Sequence, residues 1–374
     1  MTMQTAVPSE MRALRIREFN APYEIQTIPV PKPGPRDLLV KIAVASYCHT
    51  DALIVTGVFH STLPQTGDSS LPQTISHEGS GTVVAIGDEV TSFKVGDRVM
   101  CGIVLHPCGE CDDCISPIEN HRQYCTRSAG HIGVTTNGCA ADYAIADERT
   151  TTKLPDSVSF ASAAPLACAG RTVYRSVLQA GLEPGRWLAI LGSGGGLGHL
   201  GIQFARAKGL KVIGVDARDA GLALSREYGA DAVVDARRAK ADVVAEVRAL
   251  TGGRGVDCAI VLADHAEALA AAMTRMHGTV LQVAQPDTLS IPFAELILRD
   301  IRFRGSLMAS PEESRDMMKC VAEHGVKVRT NIFQGLDSIE ELLHTVESGK
   351  LQGKAVIVVD PEQIEAEKRI GAEL

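Results

Sequence analysis

The stretch WLAILGSGGGLGHLGIQFARAKG, Trp187 to Gly209, decides the fold. An apolar run, Trp187 to Leu191, passes straight into a glycine loop, and the loop opens an amphipathic helix. Strand, glycine loop and helix in this order leave helix N–H groups exposed where a dinucleotide pyrophosphate can bind, and glycines let the backbone turn sharply and approach the phosphates. The strict GxGxxG spacing is met only late, by Gly196, Gly198 and Gly201; Gly192, Gly195, Gly196 and Gly198, with Leu197 between the last two, form a variant. The next strand, KVIGVD, ends in Asp216, where a carboxylate can accept hydrogen bonds from an adenosine ribose. The bland reading of Asp216 is a solvated strand end or a helix cap. A carboxylate there repels a 2'-phosphate, so NAD is expected over NADP, with Arg218 the group that keeps NADP open.

Outward from this stretch the pattern repeats. KVIGVD is followed by AGLALSREYG, DAVVD by KADVVAEVRAL, VDCAIVLA by HAEALAAAMTRM, and GTVLQVA by PFAELILRD. Strands alternating with helices at this pitch predict a doubly wound parallel sheet with helices on both faces. After IRFRGSL come further helical stretches, the strand KAVIVV from Lys354 to Val359, and a charged tail. Before Trp187 the texture differs: YEIQTIPVPKPGP, LLVKIAVAS and GTVVAIGDEVTSFKVGDRVM read as short strands closed by Gly and Pro turns, an irregular, mostly β domain.

The 374 residues suffice for two ordinary domains, and 45% hydrophobic content suits a globular protein. A formal net charge of -8 argues against nucleic acid or an anionic membrane as the partner. The start, MTMQTAVPSE, has neither a basic segment nor a long apolar run, and no later stretch approaches spanning length, so a cytoplasmic home is expected.

In a reducing cytosol the chain's 10 cysteines are not expected to form a disulfide framework. CGECDDC packs Cys108, Cys111 and Cys114 into a turn-rich stretch, and free surface thiols so clustered would invite oxidation. A structural zinc needs four ligands. Cys125 is the natural fourth, His121 lies nearer in sequence, and Cys101 and His106 flank the cluster. A second, scattered set comprises Cys48 in YCHTD, His77 in SHEGSG and Cys168 in PLACAG. Two cysteines and a histidine with a position left open make a catalytic zinc arrangement, although sequence spacing does not show that the three converge.

The chain resembles the zinc-dependent alcohol dehydrogenases of the medium-chain dehydrogenase/reductase superfamily, particularly the yeast-like and fungal branch. The likeness covers nearly the whole chain and rests on CHTD, HEGSGTVVAIGDEV with GDRV, CGECDDC, CAGRTVY, GGGLGHLGIQFARAKG with VIGVD, and GKAVIVV. It implies a GroES-like, mostly β catalytic domain over 1–170, with the structural zinc lobe near 101–126. A Rossmann domain over 171–308 and a return to the catalytic domain over 309–374 follow. It also implies that Cys48, His77 and Cys168 bind a catalytic zinc with Glu78 close behind, and that Asp51 holds the far ring nitrogen of His77. Thr50 is the hydroxyl that takes the substrate proton. His49 and Arg315 are expected near the pyrophosphate and Thr172 near the nicotinamide. Two zinc ions per chain, NAD, and a homodimer or homotetramer complete the expectation.

Departures from the family pattern sharpen it. Ser76 stands where the family has glycine, Leu53 where many relatives have a proton-passing histidine, and the interval from Cys114 to Cys125 is longer than usual. VFHSTLPQTGDSSLPQTIS, beside the expected substrate cleft, is also longer than in the yeast-like enzymes. Phe59 and Ile103 align with tryptophans of those enzymes, so the cleft is expected to admit alcohols larger than ethanol. Two alternatives share some of these residues: a zinc-free, NADPH-dependent quinone or enone reductase of the same superfamily, and a catalytically idle NAD-binding scaffold.

Overall fold

The computed structural model describes residues 7–58, 70–116 and 121–374. The chain forms two compact units: unit 1 is Met1–Cys168, Ser310–Ala322 and Thr330–Leu374, and unit 2 is Ala169–Ala309 and Glu323–Arg329. Unit 1 begins with β1 (Glu10–Ile16), β2 (Glu24–Pro29), β3 (Asp37–Tyr47), β4 (Gln73–Thr74) and β5 (Glu78–Ile86). It continues with β6 (Arg98–Met100), β7 (Val104–Leu105), β8 (Gly130–His131), β9 (Tyr143–Asp147) and β10 (Thr152–Lys153). Unit 2 supplies β11 (Trp187–Leu191), β12 (Lys211–Asp216), β13 (Ala232–Asp235), β14 (Val256–Val261), β15 (Thr274–Gln282) and β16 (Arg302–Gly305). Unit 1 then resumes with β17 (Thr330–Gln334) and β18 (Lys354–Val358).

In unit 1, β3 is the hub because DLLVKIAVASY is buried throughout except at Lys41 and Tyr47. The main sheet runs β10-β6-β5-β3-β18-β17, with β9 also on β3. Leu38, Val40, Ile42, Val83, Val99 and Ile357 share its core. Smaller sheets, β2-β1-β4 and β7-β8, complete the GroES-like β structure.

In unit 2 the sheet order is β13-β12-β11-β14-β15-β16, with every pair parallel. The order reverses between β11 and β14, and such a switch point is where open α/β sheets bind ligands. WLAIL and VDCAIV lie side by side in the middle and read as near-continuous apolar runs because they are covered on both faces. Ala189, Leu191, Ile213, Val215 and Val261 pack with Val243 and Val247 of the helix Lys240–Leu250. The fold class is α/β as expected.

Two features differ from the sequence reading. The stretch after Val359, read as a charged tail, is the helix Pro361–Lys368. Asp360 caps it by accepting from the Glu362 N–H at 3.0 Å, Pro361 sits in its first turn, and Glu367 reaches Arg98 at 2.6 Å. TNIFQ, unassigned from sequence, is the edge strand β17, whose pairing with β18 depends on a partner remote in sequence. Among the described residues no helix is long and apolar enough to cross a membrane.

Candidate functional site

The glycine loop follows β11 and opens the helix Gly198–Ala207. Gly192 adopts φ +84°, in the left-handed region, and its N–H bonds the Val215 carbonyl at 2.8 Å. A Cβ on Gly198 would lie 2.3 Å from the Gly192 oxygen, so only glycine lets the helix start this close to the loop. Asp216, 4% exposed, accepts from the Gly194 N–H at 2.9 Å and the Arg218 N–H at 3.0 Å, so it fastens the loop to the end of β12. Arg218 Nε stands 3.4 Å from the same carboxylate, with its side chain about half exposed.

The four lobe cysteines converge. The sulfurs of Cys108, Cys111, Cys114 and Cys125 all lie within 4.8 Å of one another, with Cys108 to Cys114 and Cys111 to Cys125 both at 3.9 Å. A zinc tetrahedron with about 2.3 Å Zn–S bonds has S–S edges of about 3.8 Å, so the donor set fits that ion. Cys125 is therefore the fourth member of the cluster, and His121 instead packs edge-on against Tyr124. The Glu110 N–H, with further help from Cys111, draws the Cys108 thiol down to about 6, whereas burial pushes Cys114 up to about 12. Thiols this close cannot all ionise without a cation.

The scattered set converges as well. Cys48 caps the helix His49–Val55, His77 immediately precedes β5, and Cys168 sits in a π-helical turn, Leu166–Gly170. One ligand atom from each of Cys48, His77, Glu78 and Cys168 falls within a common 4.8 Å. Buried His77 Nδ1 has no hydrogen-bond partner among the described residues. Asp51 Oδ1 lies 3.9 Å from it, beyond hydrogen-bonding distance. The Asp51 carboxylate instead accepts the N–H of Cys48 at 2.8 Å and of Ser76 at 3.0 Å, tying both ligand-bearing segments by their backbones.

Charge is dense here. A hydrogen bond from Cys168 holds the Cys48 thiol well below its ordinary value, and the same contact pushes Cys168 up. Burial lowers His77, but contact with Cys48 and the charges of Asp51 and Glu78 outweigh it and raise the imidazole to about 9. Burial raises Glu78 to about 7 against the opposing pull of Lys354. Two thiols and two carboxylates thus face one lysine and one imidazole in a water-poor space, a donor set that fits a divalent cation.

Lys354 is the site residue that the sequence reading missed. It opens β18, and its Nζ stands 3.0 and 2.8 Å from the two Glu78 oxygens, both side chains being buried. The available signal was a single charge in front of an otherwise apolar strand. Ser76, in the family's glycine position, does adopt φ +72°. Its hydroxyl donates to the Ser46 carbonyl at 2.9 Å and accepts from the Glu78 N–H at 3.3 Å.

The remaining expected residues are more dispersed. Thr50 Oγ1 is 3.9 Å from Cys48 Sγ. His49 is exposed, Leu53 and Thr172 are half-buried, and Ile103 is buried. Arg315 lies on the helix Pro311–His324 in unit 1, half exposed and paired with Glu312 at 2.9 Å. Phe59 and most of the long segment around it lie outside the described residues. Cys101, Cys139, Cys258 and Cys320 are buried apolar thiols.

Known proteins agree with this chemistry. Residues 34–156 match the alcohol dehydrogenase GroES-like domain, and residues 196–323 match the zinc-binding dehydrogenase domain. An alcohol dehydrogenase of Rhizobium meliloti is 33% identical over 93% of this chain and 98% of its own length. Alcohol dehydrogenase 1 of Emericella nidulans is 33% identical over 94% and 99%. A solved NAD-dependent alcohol dehydrogenase superposes with a TM-score of 0.84 at 27% identity, covering 94% of this chain and 100% of that one. The chain belongs to the zinc-binding alcohol dehydrogenases of the medium-chain dehydrogenase/reductase superfamily. Bacterial and fungal relatives stand at the same identity, so the likeness defines the family and not a fungal branch of it.

Proposed function

We propose that the chain oxidises primary or secondary alcohols larger than ethanol with NAD, giving an aldehyde or ketone, and catalyses the reverse reduction, the activity of class EC 1.1.1.1. The observation that carries this reading is the convergence of Cys48, His77 and Cys168 beside Glu78. Cys48, His77 and Cys168 would hold a zinc ion, which would supply Lewis acidity toward an alcohol or carbonyl oxygen, while NAD would supply the hydride acceptor. Asp216, buried at the end of β12, supports NAD over NADP, as does the NAD dependence of the similar solved enzyme.

The chain's own groups do the rest. Thr50, whose hydroxyl lies beside Cys48, receives the substrate proton. Asp51 holds the Cys48 and Ser76 backbones in place. Leu53 cannot accept a proton, so the relay from Thr50 does not pass through that position. His49, Arg315 and Thr172 keep the cofactor contacts that the family resemblance gives them. Ile103 and Phe59, replacing bulkier tryptophans of the yeast-like enzymes, support the larger substrate. The catalytic part is read as 1–170 with 309–374 and the dinucleotide part as 171–308; the division into two units supports this reading except at Glu323–Arg329, which falls in unit 2.

A homodimer or homotetramer in the cytoplasm completes the reading. Phe293, Ile297 and Leu298 are 72%, 73% and 69% exposed, close in sequence to the edge strand β16, an apolar face suited to a second copy.

The test is the initial rate of NADH formation over a graded panel of primary, secondary and aromatic alcohols, with and without a zinc chelator. Chelator-sensitive turnover with higher kcat/KM for the larger alcohols is expected. Ethanol as the best substrate sinks the pocket assignment, and zinc-loaded protein inert with both NAD and NADP sinks the enzyme reading in favour of a scaffold.

A further inference from the structure

His199 is the second residue of the helix that the glycine loop opens, and it is fully buried. Both ring nitrogens are engaged by backbone. The Arg329 N–H lies 3.1 Å from Nε2, and the Gly195 carbonyl oxygen 2.9 Å from Nδ1. A backbone N–H can only donate, so Nε2 is the acceptor, the proton sits on Nδ1, and Nδ1–H donates to Gly195. The Tyr228 ring meets the imidazole edge-on with centroids 5.1 Å apart, which fixes the ring plane.

One turn further along the same helix, Gln203 makes a reciprocal pair with Lys327: its amide donates to the Lys327 carbonyl at 2.9 Å and accepts the Lys327 N–H at 2.8 Å. The segment Glu323–Arg329, part of unit 2 although both its chain neighbours belong to unit 1, is thereby strapped along the helix. The strap ends at His199, and His199 ends at the loop.

The consequence lies in the peptide between Gly195 and Gly196. In a trans peptide the C=O and the following N–H point in opposite directions. With the Gly195 oxygen held toward His199, the Gly196 N–H is aimed away from the helix, and it has no partner among the described residues.

We propose that His199 is a positioning residue for the dinucleotide. Braced from behind by the strap, it locks the peptide plane that presents the Gly196 N–H to a phosphate oxygen. This rests on the reading of the loop as the pyrophosphate site, which NADH binding by the wild-type holoenzyme tests separately.

The experiment is fluorescence titration of NADH into zinc-loaded wild type, His199→Phe, His199→Asn and Gln203→Ala, with melting temperatures alongside. Phe keeps the bulk against Tyr228 and loses both bonds, and its dissociation constant for NADH should rise about tenfold, as expected for one lost hydrogen bond. KM for NAD should rise in step, without a fall in kcat. Asn carries an amide where Nδ1 was, keeps the Gly195 bond, and should stay within about threefold of wild type. Gln203→Ala loosens the strap but leaves the His199–Gly195 bond in place, so it should lower the melting temperature and raise the NADH dissociation constant by clearly less than His199→Phe does. Unchanged affinity in His199→Phe overturns the proposal, as does a loss in Gln203→Ala equal to that in His199→Phe. If His199→Phe does not fold, a tenfold loss in His199→Asn overturns it on its own. Wild type that binds no NADH overturns the loop assignment itself.

Discussion

Replacing Lys354 by methionine tests whether the buried ion pair behind the metal ligands governs unit 1. The Lys354 and Glu78 side chains are 6% and 0% exposed, with N–O distances of 3.0 and 2.8 Å. The substitution keeps the apolar stem and deletes the charge, leaving the Glu78 carboxylate without its counter-ion where water does not reach. Breaking such a pair from one side costs about 3–5 kcal/mol, whereas replacing both partners by neutral groups of similar shape is often close to neutral. At roughly 2–4 °C per kcal/mol for a unit of this size, Lys354→Met should lower Tm by about 6–20 °C. Lys354→Met with Glu78→Gln should recover most of that loss. The assay is thermal unfolding of zinc-loaded wild type, both single variants and the double variant, with zinc per chain measured on each. A double variant whose loss equals the sum of the single losses refutes the reasoning, because the two groups would then not be coupled.

Three further outcomes are expected. Ser76→Gly should be near neutral, since relief of about 1–2 kcal/mol of left-handed backbone cost offsets roughly one hydrogen bond, whereas Ser76→Ala loses the same bonds without that relief and should be less stable than Ser76→Gly by about 1–2 kcal/mol in urea unfolding. Cys114→Ser should lower zinc from two ions per chain to one and destabilise the fold by at least about 2 kcal/mol, while turnover per remaining zinc at low temperature persists; retention of both ions refutes the four-sulfur assignment. Burial raises the Glu148 carboxyl, but the Ser92 hydroxyl, the Thr91 and Ser92 N–H groups and Arg36 outweigh it and hold it below its ordinary 4.5. A depressed carboxylate stabilises the fold above its unfolded pKa and ceases to do so as pH falls through its folded value. Glu148→Gln should therefore be less stable than wild type at pH 7, the gap in urea midpoint closing below pH 4.5; a gap that widens on acidification contradicts the assignment.

Much of this architecture was legible because its signals are local. WLAIL, the glycines and KVIGVD lie within one strand-helix-strand unit, so propensity, turn chemistry and the carboxylate after the second strand point to one answer. The lobe cysteines likewise announce themselves by proximity, all but Cys125, whose membership the structure decides. Cys48, His77 and Cys168 became a site only through family resemblance, because their convergence depends on β3, β5 and the turn before the helix Arg171–Gln179 meeting in space. Lys354 was invisible for the same reason: its partner stands 276 residues earlier. Asp51 was expected to act on an imidazole, but its oxygens are taken by two backbone donors, and no side-chain pattern reports on those. The sequence left His199 between a cofactor-facing and an exposed position; the structure buries it, with the remote Arg329 N–H opposite its ring.

Along the chain, unit 2 interrupts unit 1, and this sets an order of assembly during synthesis. Unit 2 lies almost wholly within Ala169–Ala309 and leaves the ribosome as one continuous piece, able to complete its parallel sheet early apart from the strap. Unit 1 has to wait, because β18 inserts between β3 and β17. At roughly 5–20 residues per second, Glu78 emerges about 15–55 s before the lysine that will neutralise it. Throughout that interval the nascent N-terminal half is a sheet with an open seam along the Val44–Tyr47 end of β3. Slow maturation and a need for chaperones should therefore attach to the N-terminal half, and a chain released short of Lys354 should be left with that seam permanently open.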